Sequence, residues 1–166
     1  TVLILLCVMP LVLNAVRSAN GVKSGVKTVQ RYPWWGWIGL TTGLISWILA
    51  WSRFPWFTDL QPHTFSPLWF SYIVVINALD FRRTGQCLMT ARPGYFLLLF
   101  PVSAAFWWFF EYLNRFVQNW YYIGPDFSSW EYFWYATLPF STVLPAVLSP
   151  RQWLLSARIV QQAFTN

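Results

Sequence analysis

From Gly94 to Phe110 the chain runs without a single charged side chain. The run nearly reaches the ~20 residues a helix needs to cross ~30 Å of hydrocarbon. It then passes into Glu111, Tyr112, Leu113, Asn114, Arg115, Phe116, Val117, Gln118, Asn119, Trp120, Tyr121 and Tyr122 with no Gly or Pro to mark a stop. In lipid every backbone N–H and C=O must be satisfied inside the protein, which restricts such a run to a helix. The polar end of that helix is where this sequence places hydrogen-bonding chemistry beside a membrane boundary.

The rest of the chain agrees with that environment. Only 10% of the residues are charged and 57% are apolar, whereas soluble domains carry about a quarter charged residues. Too few charges remain to cover a water-facing surface. Thirteen Trp and eight Tyr add rings with a polar edge, which favour the bilayer interface. The expectation is an all-α fold: a polytopic transmembrane helix bundle of about five spans, forming a single integral membrane domain over 1–166. The spans are expected at 1–16, 34–52, 65–79, 94–113 and 130–148, followed by an amphipathic cytoplasmic tail over 150–166. The first is short, holds Pro10, and starts at Thr1 without an initiator Met, so it reads as a span or the end of one. Pro101 removes a backbone donor and should kink the fourth span near Leu97. Pro139 and Pro145 fall inside the fifth.

Charge sets the orientation. Basic residues of short loops gather on the cytoplasmic side. Loop 17–33 carries Arg17, Lys23, Lys27 and Arg31; loop 80–93 carries Arg82, Arg83 and Arg92; the tail carries Arg151 and Arg158. The alternate loops, 53–66 and 111–129, hold only Arg53 and Arg115, together with Asp59, Glu111 and Asp126. The first set should face the cytoplasm, with the C-terminus, and the second the outer side of a bacterial cytoplasmic membrane. The net charge of +6 is thus spread by topology, not gathered into a nucleic-acid patch. Cys7 and Cys87 are far apart, with one expected in a span and one in a cytoplasmic loop, so no disulfide is expected.

Continued at about 100° per residue, the central helix places Glu111, Asn114, Arg115, Gln118 and Tyr122 on one face. Glu111 and Arg115 are four apart and could pair along the helix. A carboxylate near the edge of the hydrocarbon needs such a partner. Two readings compete. In one, Glu111 is a base or cation ligand, Arg115 clamps an anion, and Asn114, Gln118 and Asn119 orient a substrate, with Asp126, Glu131 and His63 nearby. In the other, the helix simply leaves the bilayer and the Glu111–Arg115 pair ties helices together.

Other motifs carry less. His63 is the only histidine, which leaves no His-based metal or haem site, and no metal or cofactor is expected. No Gly-rich phosphate loop is present, and no base accompanies the serines. The tetrads Arg31-Tyr32-Pro33-Trp34 and Arg53-Phe54-Pro55-Trp56 read as interface anchors more readily than as an inverted repeat. Asp80-Phe81-Arg82-Arg83 reads as topogenic charge before it reads as a head-group site. Trp107, Trp108, Trp120, Tyr122 and Trp134 could contact a flat hydrophobic ligand, or form an aromatic belt.

The run Phe110-Glu111-Tyr112-Leu113-Asn114, followed by Trp120-Tyr121-Tyr122 and an aromatic span with prolines, resembles a group of bacterial multi-span membrane proteins of no established activity. These carry an aromatic-Glu-x-x-Asn helix end before a Trp-x-Tyr. The resemblance covers about 80–148 and implies a bacterial membrane origin; Leu148-Ser149-Pro150 stands where the pattern would place an acid. Two functions follow from the sequence. The first is a non-catalytic subunit that packs against other membrane protein subunits and membrane lipids. The alternative is a membrane-embedded enzyme or carrier acting on a lipid, isoprenoid or quinone-like molecule at the outer interface.

Overall fold

A computed structural model describes residues 30–122 and 127–155. Five α-helices and one 3-10 helix make up the regular structure among them, with no strand. Helix α1 spans Trp34–Trp51, the 3-10 helix Pro55–His63, α2 Phe65–Thr84, α3 Leu88–Ala91, α4 Pro93–Val117 and α5 Ser129–Leu155. The main packing partners are α1 with α2, α2 with α5, and α5 with α4, so the long helices stand in the order α1–α2–α5–α4. A small core of Ile73, Phe96 and Ala146 joins α2, α4 and α5, and Phe100, Leu88 and Met89 pack against it.

The expected segments 34–52, 65–79, 94–113 and 130–148 each fall on one long helix, but three of the helices are longer than expected. Helix α2 continues through Asp80, Arg82 and Arg83 to Thr84, where Gly85 ends it in the left-handed region (φ 78°) and donates its N–H to Phe81 O at 2.8 Å. Basic residues such as Arg82 and Arg83 suit the last turn of a helix, so a drop in hydropathy does not mark a helix end. Helix α5 likewise runs on to Leu155 and takes in the start of the expected tail. The span expected over 1–16, Cys7, most of the basic loop 17–33, Asp126 and the tail beyond 155 lie outside the described residues.

Helix α1 packs through its small residues. It buries Gly36, Gly39 and Ser46 and leaves Trp34, Trp37, Leu44, Ile45, Trp47 and Trp51 exposed. The approach is close enough that a Cβ on Gly36 would lie 2.6 Å from Ala78 Cβ, and one on Gly39 would lie 2.7 Å from Val74 Cγ1. Neither position has room for a side chain.

Helix α5 contains Pro139, Pro145 and Pro150, each of which removes a donor from its ladder. Near Pro145 the ladder is opened further. The hydroxyl of Ser103, on α4, donates to Phe140 O at 2.5 Å and accepts from Leu144 N–H at 3.0 Å. It stands between two groups that would otherwise bond to each other in a regular helix. The hydroxyls of Ser141 and Thr142 also turn back onto carbonyls of the preceding turn, Leu138 O and Pro139 O, both at 2.7 Å. The Ser103 hydroxyl thus supplies a partner to both groups of that rung from the neighbouring helix.

Only α4 is long and apolar enough among the described residues to cross a membrane by length and composition. The 3-10 helix and α2 meet the same test together, bent by 64° at their junction.

Candidate functional site

The polar end of α4 is stopped by an asparagine. Helix α4 ends at Val117, and Gln118 adopts a left-handed conformation (φ 51°) with its N–H on Asn114 O at 2.8 Å. The reversal is held by the buried side chain of Asn114. Its Oδ1 accepts from Asn119 N–H at 2.9 Å and from Trp120 N–H at 3.3 Å, while its Nδ2 donates to Trp120 O at 2.7 Å. The helix expected to run on to Tyr122 therefore stops a turn earlier. One side chain offers the backbone an alternative set of hydrogen bonds, which is how asparagine competes with helix. Nothing in hydropathy marks this, and no glycine signals the left-handed residue.

The reversal brings Trp120 and Tyr122 back over the last turns of α4, onto Glu111. Glu111 Oε2 accepts from Tyr122 OH at 3.1 Å and, more distantly, from Trp120 Nε1 at 3.3 Å. Its Oε1 accepts from Tyr132 OH at 3.3 Å, across on α5. Tyr122 does reach Glu111, but through the reversal and not by sharing its helical face. The anticipated pairing with Arg115 is replaced: the partners of the carboxylate are neutral ring donors, and Arg115 is exposed. Burial, and next the Glu111 charge, push the Tyr122 hydroxyl above its ordinary value.

The aromatic wall behind the carboxylate is continuous. Trp108 stacks on Phe133 at 5.4 Å between centroids, meets Tyr132 edge-on at 6.0 Å, and donates Nε1–H to Thr137 Oγ1 at 3.0 Å. Trp107 packs edge-on against Phe140 at 5.9 Å. Trp134 lies further out, exposed, against Trp130 and Phe133.

Of the other candidates, Asn119 contributes its backbone to the Asn114 turn and Gln118 supplies the helix stop. Neither Glu131 nor His63 joins Glu111. Glu131 accepts from Ser128 Oγ–H at 2.7 Å and Ser128 N–H at 3.0 Å, a capping box that opens α5. His63 packs against the Tyr135 ring at 4.4 Å. Among the described residues no three His, Cys, Asp or Glu come together as metal ligands.

Sequence reading passed over the buried polar residues inside the helices. Asn77 donates to Ile73 O and to Ser149 Oγ, both at 2.8 Å, and accepts from Met89 N–H at 3.2 Å, joining α2, α3 and α5. The signal was present: a lone amide within an apolar helix must find partners inside the protein. At the same end Asp80, Arg92 and Arg151 line a cavity of about 490 Å³.

The arrangement at Glu111 ties the end of α4, the following loop and α5 together. The chain matches no family model, no curated protein and no solved structure.

Proposed function

We propose that the chain is a multi-span integral membrane protein acting as a non-catalytic subunit of a larger membrane assembly. The observation that carries the membrane part is the inverted face of α1. Its small residues Gly36, Gly39 and Ser46 are buried, while Trp37, Ile38, Leu44, Ile45, Trp47 and Ile48 are exposed. A helix in water turns its large apolar side chains inward. In lipid, large side chains face the acyl chains, and small ones let helices approach. Helix α4 carries the same character, with Leu97, Leu98, Val102, Phe106 and Phe109 all exposed along one apolar run.

The subunit part is supported by the engagement of Glu111. The three donors to its carboxylate come from the loop after α4 and from α5, two segments outside its own helix. Here both oxygens accept from Trp120, Tyr122 and Tyr132, and the arrangement reads as a tie between segments. The charge pattern supports the orientation, with Arg82, Arg83, Arg92 and Arg151 at the cytoplasmic end and Glu111 at the outer end. On this reading the exposed apolar surface is shared between lipid and neighbouring subunits.

Native mass spectrometry on the protein gently extracted from its own membrane tests this. The expected result is an assembly of fixed composition that persists in a Glu111→Gln variant. The competing reading is an enzyme or carrier acting on a lipid or isoprenoid at the Glu111 end. It predicts a lone chain or homo-oligomer with bound lipid, and a Glu111→Gln variant that folds but loses activity.

A further inference from the structure

The cavity of about 490 Å³ lies at the end of the bundle opposite Glu111. Four segments build it: the end of α2 with Asp80 and Thr84, the loop and short helix α3 that follow, the start of α4 with Arg92 and Tyr95, and the late part of α5 with Arg151. Asp80 is only 3% exposed and sits in the wall, whereas both arginines are exposed.

The arginines at this end have different tasks. Arg83 is used within the fold: its Nη1 donates to Trp153 O at 3.1 Å and its guanidinium lies 4.3 Å from the centre of the Trp153 ring. Arg92 and Arg151 have no such occupation. Among the described residues neither guanidinium pairs with a carboxylate. Against the single carboxylate of Asp80 the lining carries two guanidinium charges, a net positive charge that favours an anion. The opening of α4 adds to the field. Arg92 is its N-cap, Pro93 stands at the first helical position, and no side chain caps the turn. The first-turn N–H groups and the positive end of the helix dipole therefore lie at Arg92 and Tyr95, beside the cavity.

We propose that this cavity is a phosphate-binding site, in which Arg92 and Arg151 hold the phosphate oxygens and the start of α4 supplies further positive potential. Guanidinium forks match phosphate oxygens in geometry and bind them with charge-assisted hydrogen bonds. Tyr95 lines the same cavity and brings a further hydroxyl, whereas the Thr84 hydroxyl is already taken up by Asp80 O and Gln86 O. The phosphate belongs either to the head group of an anionic phospholipid or to a soluble phosphate compound. The phosphate chemistry stands on the cavity itself, and only the lipid source rests on the membrane reading above.

The test uses the full chain in phosphatidylcholine nanodiscs, with and without a small fraction of phosphatidylglycerol, read by native mass spectrometry. Inorganic phosphate is titrated separately and read as a shift of the thermal midpoint. The variants are Arg92→Gln, Arg151→Gln and the double substitution. Arg53→Gln is the control, since that exposed arginine lies outside the cavity. Wild type and the control should retain phosphatidylglycerol, or respond to inorganic phosphate, at least tenfold more strongly than the double variant. Each single variant should fall between. Retention of the lipid alone assigns a head group, and a response to phosphate ion in the absence of the lipid assigns a soluble ligand. Equal binding by wild type and both single variants overturns the proposal, as does binding of neither probe by wild type. Because the single variants each leave one exposed arginine in place, they keep the test readable if the double variant does not accumulate. A chain that stays soluble without detergent would sink the membrane reading and leave the phosphate arm intact.

Discussion

Ser103 shows how much one hydroxyl can carry in this protein. It is 1% exposed, and it serves both Phe140 O and Leu144 N–H on the neighbouring helix. Ser103→Ala removes both of these bonds between α4 and α5, at a cost of about 1–3 kcal/mol. The outcome is measured as a lowered unfolding midpoint in mild detergent, with Ser141→Ala, whose hydroxyl bonds within its own helix, as the smaller comparison. Tyr122 carries a prediction of a different kind. Its neutral hydroxyl donates to Glu111, and its pKa lies above the ordinary 10.0 because of burial first and the Glu111 charge second. The folded value is raised, so the bond's contribution is complete below pH 10.0 and is lost as pH climbs through the raised value. In an absorbance titration, Tyr122→Phe should remove one late-ionising tyrosine and leave the earlier ones in place. Reading the sequence found Glu111 and Tyr122 as neighbours, but for the wrong reason. Periodicity placed them on one face, whereas the Asn114 turn folds Tyr122 back. The roles of Asn114 and Ser103 were illegible because a side chain's choice between backbone and ligand depends on where the backbone goes next.

At the scale of the element, four long helices were legible because apolar runs bounded by Pro, Gly and charge report burial and length. Their ends were not. Asp80, Arg82 and Arg83 looked like a loop and are the last turn of α2. Composition signals solvent, but a helix continues into solvent as long as its backbone bonds are made. The end of α4 offers a direct check. Gln118 pays for a left-handed backbone that glycine adopts freely. Gln118→Gly should stabilise the protein by about 1 kcal/mol, and a chemical-denaturation series in detergent would measure it. The seam between α1 and α2 predicts the opposite sign. With 2.7 Å between a Cβ on Gly39 and Val74, Gly39→Leu must push the helices apart. Overpacking of this kind typically costs about 1–3 kcal/mol. A disulfide-trapping scan along α1 and α2 would show pairs lost around Gly39 while pairs nearer the bend at Thr64 persist.

For the whole molecule, the balance of surface and core is the decisive quantity. Its described core is confined to a few side chains around Ile73, Phe96 and Ala146, while the apolar exterior is extensive. Extraction without detergent or lipid should yield aggregate, and transfer to nanodiscs should restore a sharp thermal transition; a monodisperse chain in plain buffer would contradict the membrane reading. Composition is what points to the membrane reading proposed above, because 10% charge cannot cover such a surface. The cavity between Arg92 and Arg151 stayed hidden, since those residues stand far apart in sequence and meet only when α5 runs antiparallel to α4. The inverted face of α1 also bears on how this sequence can drift. On the membrane reading, exchanges among Trp, Leu, Ile and Phe on its outer side alter little but the texture presented to the acyl chains. A single methyl added at Gly36 or Gly39 runs into Ala78 or Val74 on α2. On that reading the heavy letters of α1 are interchangeable and the light ones are not, the reverse of the grammar that governs a protein in water.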